Sequence, residues 1–172
     1  MKTSRIELAL CAAVCVSLGV ASWLNAQTSP KSEAANGAVA TAHATGPFEV
    51  KMTPQEDKPG DDTTGRFTVE KRYHGDFEGT GKAQMLTAGS VAKGNAAYVA
   101  IERVTGTLKG RKGSFTLQHS GTISNGVQSL LITIVPDSGT EQLVGISAKM
   151  TVTIAAGGKH SYDLEYTVPK RE

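Results

Sequence analysis

From residue 44 onward apolar and polar residues alternate with a period of two, and no convincing stretch repeats apolar residues at helical spacing. Successive side chains of a strand point to opposite faces, so this alternation predicts strands with one buried face. Phe48, Val50 and Met52 alternate with Glu49 and Lys51. The stretch from Thr53 to Gly65, with two prolines and Asp57, Asp61 and Asp62, reads as a solvated loop. Phe67, Val69 and Tyr73 define a second inner row, with Lys71 in phase as a buried charge unless a bulge turns it outward. A turn at His74-Gly75-Asp76 leads to Phe77, Gly79, Gly81, Ala83 and Met85, whose small inner residues suit a bend or room for a ligand.

Two sharper hairpins follow. A tight turn centred on Arg111 and Lys112 sets Leu108 opposite Phe115, Val104 opposite His119, Glu102 opposite Gly121 and Ala100 opposite Ile123, with Tyr98 at the end of the row. A turn at Asn125 and Gly126 sets His119 opposite Ile132, Leu117 opposite Ile134 and Gly121 opposite Leu130. After a break at Pro136-Asp137-Ser138-Gly139, the row Ala148, Met150, Val152 and Ile154 forms one strand, and Tyr162, Leu164 and Tyr166, with His160 in phase, form the last. About eight consecutive antiparallel strands that share one apolar face predict an all-β domain closed into a single barrel, which removes exposed edges. A two-sheet sandwich is the alternative.

The segment ahead of these strands changes the setting. Met1-Lys2-Thr3-Ser4-Arg5 followed by an apolar run to Trp23-Leu24 reads as a secretory signal peptide over residues 1–26, with an uncleaved anchor as its rival. Residues 27–43, rich in Ala, Ser, Thr, Asn and Gly, have the composition of a flexible spacer. Residues 44–168 form the barrel domain and 169–172 a tail. The protein is thus expected to be exported, periplasmic or secreted, and free of the membrane once the leader is removed. Cys11 and Cys15 both lie in the leader, so the domain uses neither disulfides nor thiolate metal sites. Removing Lys2, Arg5 and Glu7 from a chain of 18 basic and 16 acidic residues leaves a net charge of +1, which calls for no nucleic-acid partner.

The inner face carries the candidate chemistry. Glu102 and His119 fall one diagonal step apart among apolar and small residues, and burying such groups costs free energy unless they pair or hydrogen-bond. They form a satisfied structural knot, orient a ligand, or move a proton in a cyclase- or isomerase-type reaction. Lys71, Tyr98, His160 and Tyr162 share that face and complete the candidate lumen site, whose expected partner is a small, largely apolar molecule. No cofactor is implied. No His-x-His or His-x-x-x-His pair points to a metal, and Ser90-Val91-Ala92-Lys93 matches Ser-x-x-Lys without the motifs or the helix that would carry its chemistry.

The blocks Tyr98 to Leu108, Gly113 to Thr122, Val135 to Thr140 and Lys159-His160-Ser161-Tyr162 resemble the bacterial family known as domain of unknown function 3224 (DUF3224), over about Ala44 to Val168. The resemblance implies an eight-stranded antiparallel barrel similar in architecture to plant allene oxide cyclase. It implies no activity, since no catalytic motif of the cyclase is matched residue by residue.

Overall fold

The computed structural model describes residues 40–56 and 64–169, so the leader at 1–26 and most of the spacer and tail lie outside the described residues. Eight strands follow one another: β1 (Ala42–Pro54), β2 (Thr64–Tyr73), β3 (Phe77–Ser90), β4 (Asn95–Leu108), β5 (Arg111–Ser124), β6 (Val127–Ile134), β7 (Ser147–Ile154) and β8 (His160–Thr167). Each pairs antiparallel with the next and β1 closes back onto β8, giving a barrel rather than a sandwich. Strand β1 begins at Ala42, because the backbone of Ala42 and His43 pairs with Tyr166 and Glu165 of β8.

The Asn125-Gly126 turn sits where the sequence places it, with φ of 50° and 80° at its two residues, and all three expected cross-strand pairs form. The β4–β5 hairpin differs. Its turn is Lys109-Gly110, with φ of 44° and 84°, so Val104 faces Phe115, Glu102 faces Leu117, Ala100 faces His119 and Tyr98 faces Gly121. The reason is local. A two-residue hairpin turn needs positive φ at both central positions, and Gly110 supplies the second without strain where Lys112 would not. Moving the turn centre by two residues changes each partner by four, an even step, so every side chain stays on its expected face.

The two ends of the barrel are built differently. At one end the connection from β6 to β7 folds inward, with Leu143 and Ile146 buried in the same core cluster as Tyr73, Phe77, Leu108, Phe115 and Leu164. Arg103 secures that connection by donating to the Ser138 carbonyl and to the hydroxyls of Thr116 and Ser114. Toward the other end the inward apolar rows lose their cover. On β6 exposure climbs from 1% at Ile132 to 41% at Leu130, and on β7 from 5% at Met150 to 61% at Ile154. A smaller buried cluster of Val69, Ala83, Met85 and Ala100 spans β2, β3 and β4. Strands β6 and β7 share one ladder pair, Thr133 with Lys149, which makes their junction the weakest seam of the wall.

Candidate functional site

Between the packed end and the open half, charged and polar groups from strands β2, β4 and β5 converge on one carboxylate. Glu102 is fully buried. Its Oε2 accepts a hydrogen bond from Lys71 Nζ at 2.7 Å, and its Oε1 accepts one from the Tyr73 hydroxyl at 2.8 Å. His119 Nε2 lies 3.0 Å from Oε2, yet that nitrogen has no aligned hydrogen-bond partner. An ionised carboxylate at that distance places the ring proton on Nε2, since two acceptors would repel. The contact is therefore electrostatic, and it leaves a buried N–H without a directed acceptor.

Lys71 and Glu102 stand on strands separated by β3, and a glycine lets them meet. Lys71 pairs with Gly81, and a Cβ at Gly81 would come within 1.9 Å of Glu102 Oε1. Only a residue without a side chain leaves the carboxylate room to cross. The Lys71 ammonium also lies 5.3 Å from the centre of the Phe48 ring and 5.8 Å from that of Tyr73, distances at which a cation is attracted to an aromatic face.

Burial works to raise the Glu102 pKa, but the His119 contact and the Lys71 ammonium outweigh it and hold the carboxyl below its ordinary value. Burial, reinforced by the negative charge of Glu102, pushes the Tyr73 phenol well above the usual tyrosine value. The same two causes raise Tyr98. Glu102 is thus an ionised acceptor with committed oxygens and a weak proton acceptor for chemistry. Tyr73 is a fixed donor.

Tyr98 stands opposite Gly121, and its ring lies so close over that glycine that a Cβ there would sit 2.2 Å from Cε1. The half-buried ring packs against the cluster of Val69, Ala83, Met85 and Ala100, and its hydroxyl has no protein partner among the described residues. The structure therefore gathers Lys71, Glu102 and His119, with Tyr98 one diagonal step from His119. It does not bring His160 or Tyr162 into this group. His160 packs against the Phe48 ring at 5.1 Å between centroids. The Tyr162 hydroxyl accepts from the Phe77 backbone N–H at 2.9 Å and donates to the His74 carbonyl at 3.0 Å, which latches the β2–β3 turn at the packed end.

Tyr73 is the member that sequence reasoning left in the core, and Gly81 the one it treated as generic space. The signal was present for the first, because Tyr73 lies two residues from Lys71 in the same inward row. Among the described residues no helix is long and apolar enough to cross a membrane.

Comparison with other proteins supplies the lineage. The family model described as protein of unknown function (DUF3224) matches residues 44–166. The chain is also similar to the crystal structure, at 1.84 Å resolution, of a DUF3224 protein of unknown function from Shewanella oneidensis MR-1. The two are 36% identical, the match covers 77% of this chain and 100% of that one, and the TM-score is 0.71. No curated protein matches the sequence. With the family model matching residues 44–166 and a solved family member 36% identical to it, this closed eight-stranded barrel belongs to the DUF3224 family.

Proposed function

We propose that the barrel binds a small, largely apolar molecule in the open half of its lumen, oriented by Tyr98, Glu102 and His119 with Lys71 beside them. The observation that carries this reading is the loss of cover along inward-facing apolar rows, from 1% to 41% exposure on β6 and from 5% to 61% on β7. Inward apolar side chains are left partly wet at one end of a barrel whose width suits either packed side chains or one small ligand. Gly81 makes room for the Glu102 carboxylate and Gly121 for the Tyr98 ring, and the small side chains of Ala83 and Ala100 add little bulk beside them. Binding is favoured over a cyclase- or isomerase-type reaction because the pKa of Glu102 is lowered and both its oxygens are committed, which makes it a poor base.

The test is titration with the neutral fluorescent probe N-phenyl-1-naphthylamine, alongside Val152→Trp, which places a large ring on an inward, half-buried position of β7. Saturable fluorescence enhancement at micromolar protein that Val152→Trp abolishes, with the far-UV spectrum unchanged, is the expected result. Absence of enhancement, or enhancement that survives the plug, overturns the reading and leaves a barrel filled by its own side chains. The basic, apolar start of the chain supports export as the setting for this binding. N-terminal sequencing of protein from the native cell envelope is expected to start near Gln27, and a retained Met1 in the membrane fraction would refute it.

A further inference from the structure

Wet apolar side chains are not confined to the lumen. On the outside of the wall Leu86, Val99, Ile101 and Leu131 are each 50–56% exposed. They stand together because their strands are neighbours. Leu86 pairs with Val99, Val99 with Ser120 and Ser120 with Leu131, so one row crosses β3, β4, β5 and β6, and Ile101 lies in the next row beside Gln118. The outward positions within 84–90, 95–101, 118–124 and 127–133 include no charged residue. The adjoining wall differs, since the outer rows of β1 and β2 carry Glu49, Lys51, Glu70 and Arg72. A lone exposed apolar residue needs no explanation, but a contiguous uncharged patch bordered by charge is the pattern of a contact surface.

The patch also ends at an unguarded edge. Strand β6 meets β7 only at Thr133 with Lys149, so from Val127 to Leu131 its far edge has no ladder partner among the described residues. No lysine, proline or bulge lies there to keep another strand away. Charge selects what covers the face. A partner of defined charge is held by fixed charges of opposite sign, and this patch has none to offer. Two-fold pairing sets a patch against its own copy, where any charge near the axis would meet its like. Apolar, hydroxyl and amide side chains meet themselves without that conflict.

We propose that the outer wall of β3–β6 is a contact surface for a second copy of this chain, paired by a two-fold axis close to Val99. Size sets the strength of the pairing. Four strands about 4.8 Å apart and seven residues rising about 3.3 Å each give a footprint of about 440 Å². A stable complex covers roughly 800 Å² on each partner, and the wall of a closed barrel is convex, which narrows the contact further. The pairing therefore belongs to the weak, reversible class, with a dissociation constant in the micromolar range or above.

The experiment is sedimentation equilibrium on the chain expressed with its own leader, from about 5 to about 500 µM, a range that brackets weak association. Wild type should shift reversibly from monomer to dimer. Val99→Lys and Val99→Glu each change an outward, half-exposed side chain, so the thermal midpoint should stay at the wild-type value while dimerisation weakens at least tenfold. An equimolar mixture of the two should recover the dimer, because lysine then faces glutamate across the axis. Ser161→Lys places the same charge on the exposed outer face of β8 and should dimerise like wild type. A wild type that stays monomeric throughout would overturn the proposal and leave the face to a different protein. Association that continues past the dimer, a dimer that survives both Val99 variants, loss of the dimer in Ser161→Lys, or a mixture that associates no better than its components would each overturn it as well.

Discussion

Removing one partner of the Lys71–Glu102 pair is expected to cost more from the lysine side than from the carboxylate side. In Lys71→Met the carboxylate, 0% exposed, retains the Tyr73 hydroxyl and the misaligned His119 contact but loses its counterion. Stripping a buried charge of its partner costs about 3–5 kcal/mol. Protonation sets a ceiling: a carboxyl with an ordinary pKa near ~4.3 takes up a proton at pH 7 for about 4 kcal/mol. A loss of about 3 kcal/mol is therefore expected. Glu102→Gln keeps an acceptor for Tyr73, and the Lys71 side chain, 11% exposed, shifts its ammonium toward the open half. That loss should be about 1–2 kcal/mol. The double variant removes both charges and should resemble Glu102→Gln, giving a coupling of about 3 kcal/mol.

The dependence on pH has opposite signs in the two proteins. In the wild type the folded-state pKa of Glu102 lies below its unfolded value. Its contribution is present above the unfolded pKa and is lost as the pH falls through the folded one. In Lys71→Met burial is opposed only by the Tyr73 hydroxyl and His119, without a full counterion, so the folded pKa is expected to rise above the unfolded one and the penalty felt at neutral pH to be relieved on acidification. Urea unfolding followed by far-UV circular dichroism at pH 7 and pH 5 reads both effects. A penalty for Lys71→Met that is no larger than that of Glu102→Gln, or that stays constant between the two pH values, would refute the reasoning.

Three further outcomes are expected from the same unfolding assay. Gly81→Ala puts a Cβ 1.9 Å from Glu102 Oε1, on a carboxylate held by two hydrogen bonds, and should cost about 2–4 kcal/mol, whereas in a Glu102→Ala background it should be nearly neutral. Gly126→Val meets no neighbour within 4 Å but forces a β-branched residue to φ near 80°, for a loss of about 1–2 kcal/mol, while Arg111→Ala and Lys112→Ala stay within about 0.5 kcal/mol of wild type. Tyr162→Phe strips the Phe77 N–H and the His74 carbonyl of their shared hydroxyl and should cost about 1–3 kcal/mol, and a neutral result would mean that the latch at the packed end contributes nothing.

The sequence by itself determined which side of each strand faces the lumen. Side-chain parity depends only on the period of two, so Lys71, Glu102 and His119 fall on the inner face however the strands are paired. That is why the β4–β5 hairpin could turn at Lys109-Gly110 instead of Arg111-Lys112 and still keep Glu102 and His119 together. The eight-strand count and the Asn125-Gly126 register were legible for the same reason, because both rest on local alternation and on a turn pair with one favoured geometry. Tertiary structure alone decided what those inward groups touch. Lys71 reaches Glu102 across an intervening strand, 31 residues away in the chain, through the gap left by Gly81. Tyr162 binds the turn that begins 88 residues earlier, because closure of β1 onto β8 brings it there. Parity is a property of the chain next to each residue. Partner choice depends on the order and offset of strands around the barrel, which become defined only when the sheet closes.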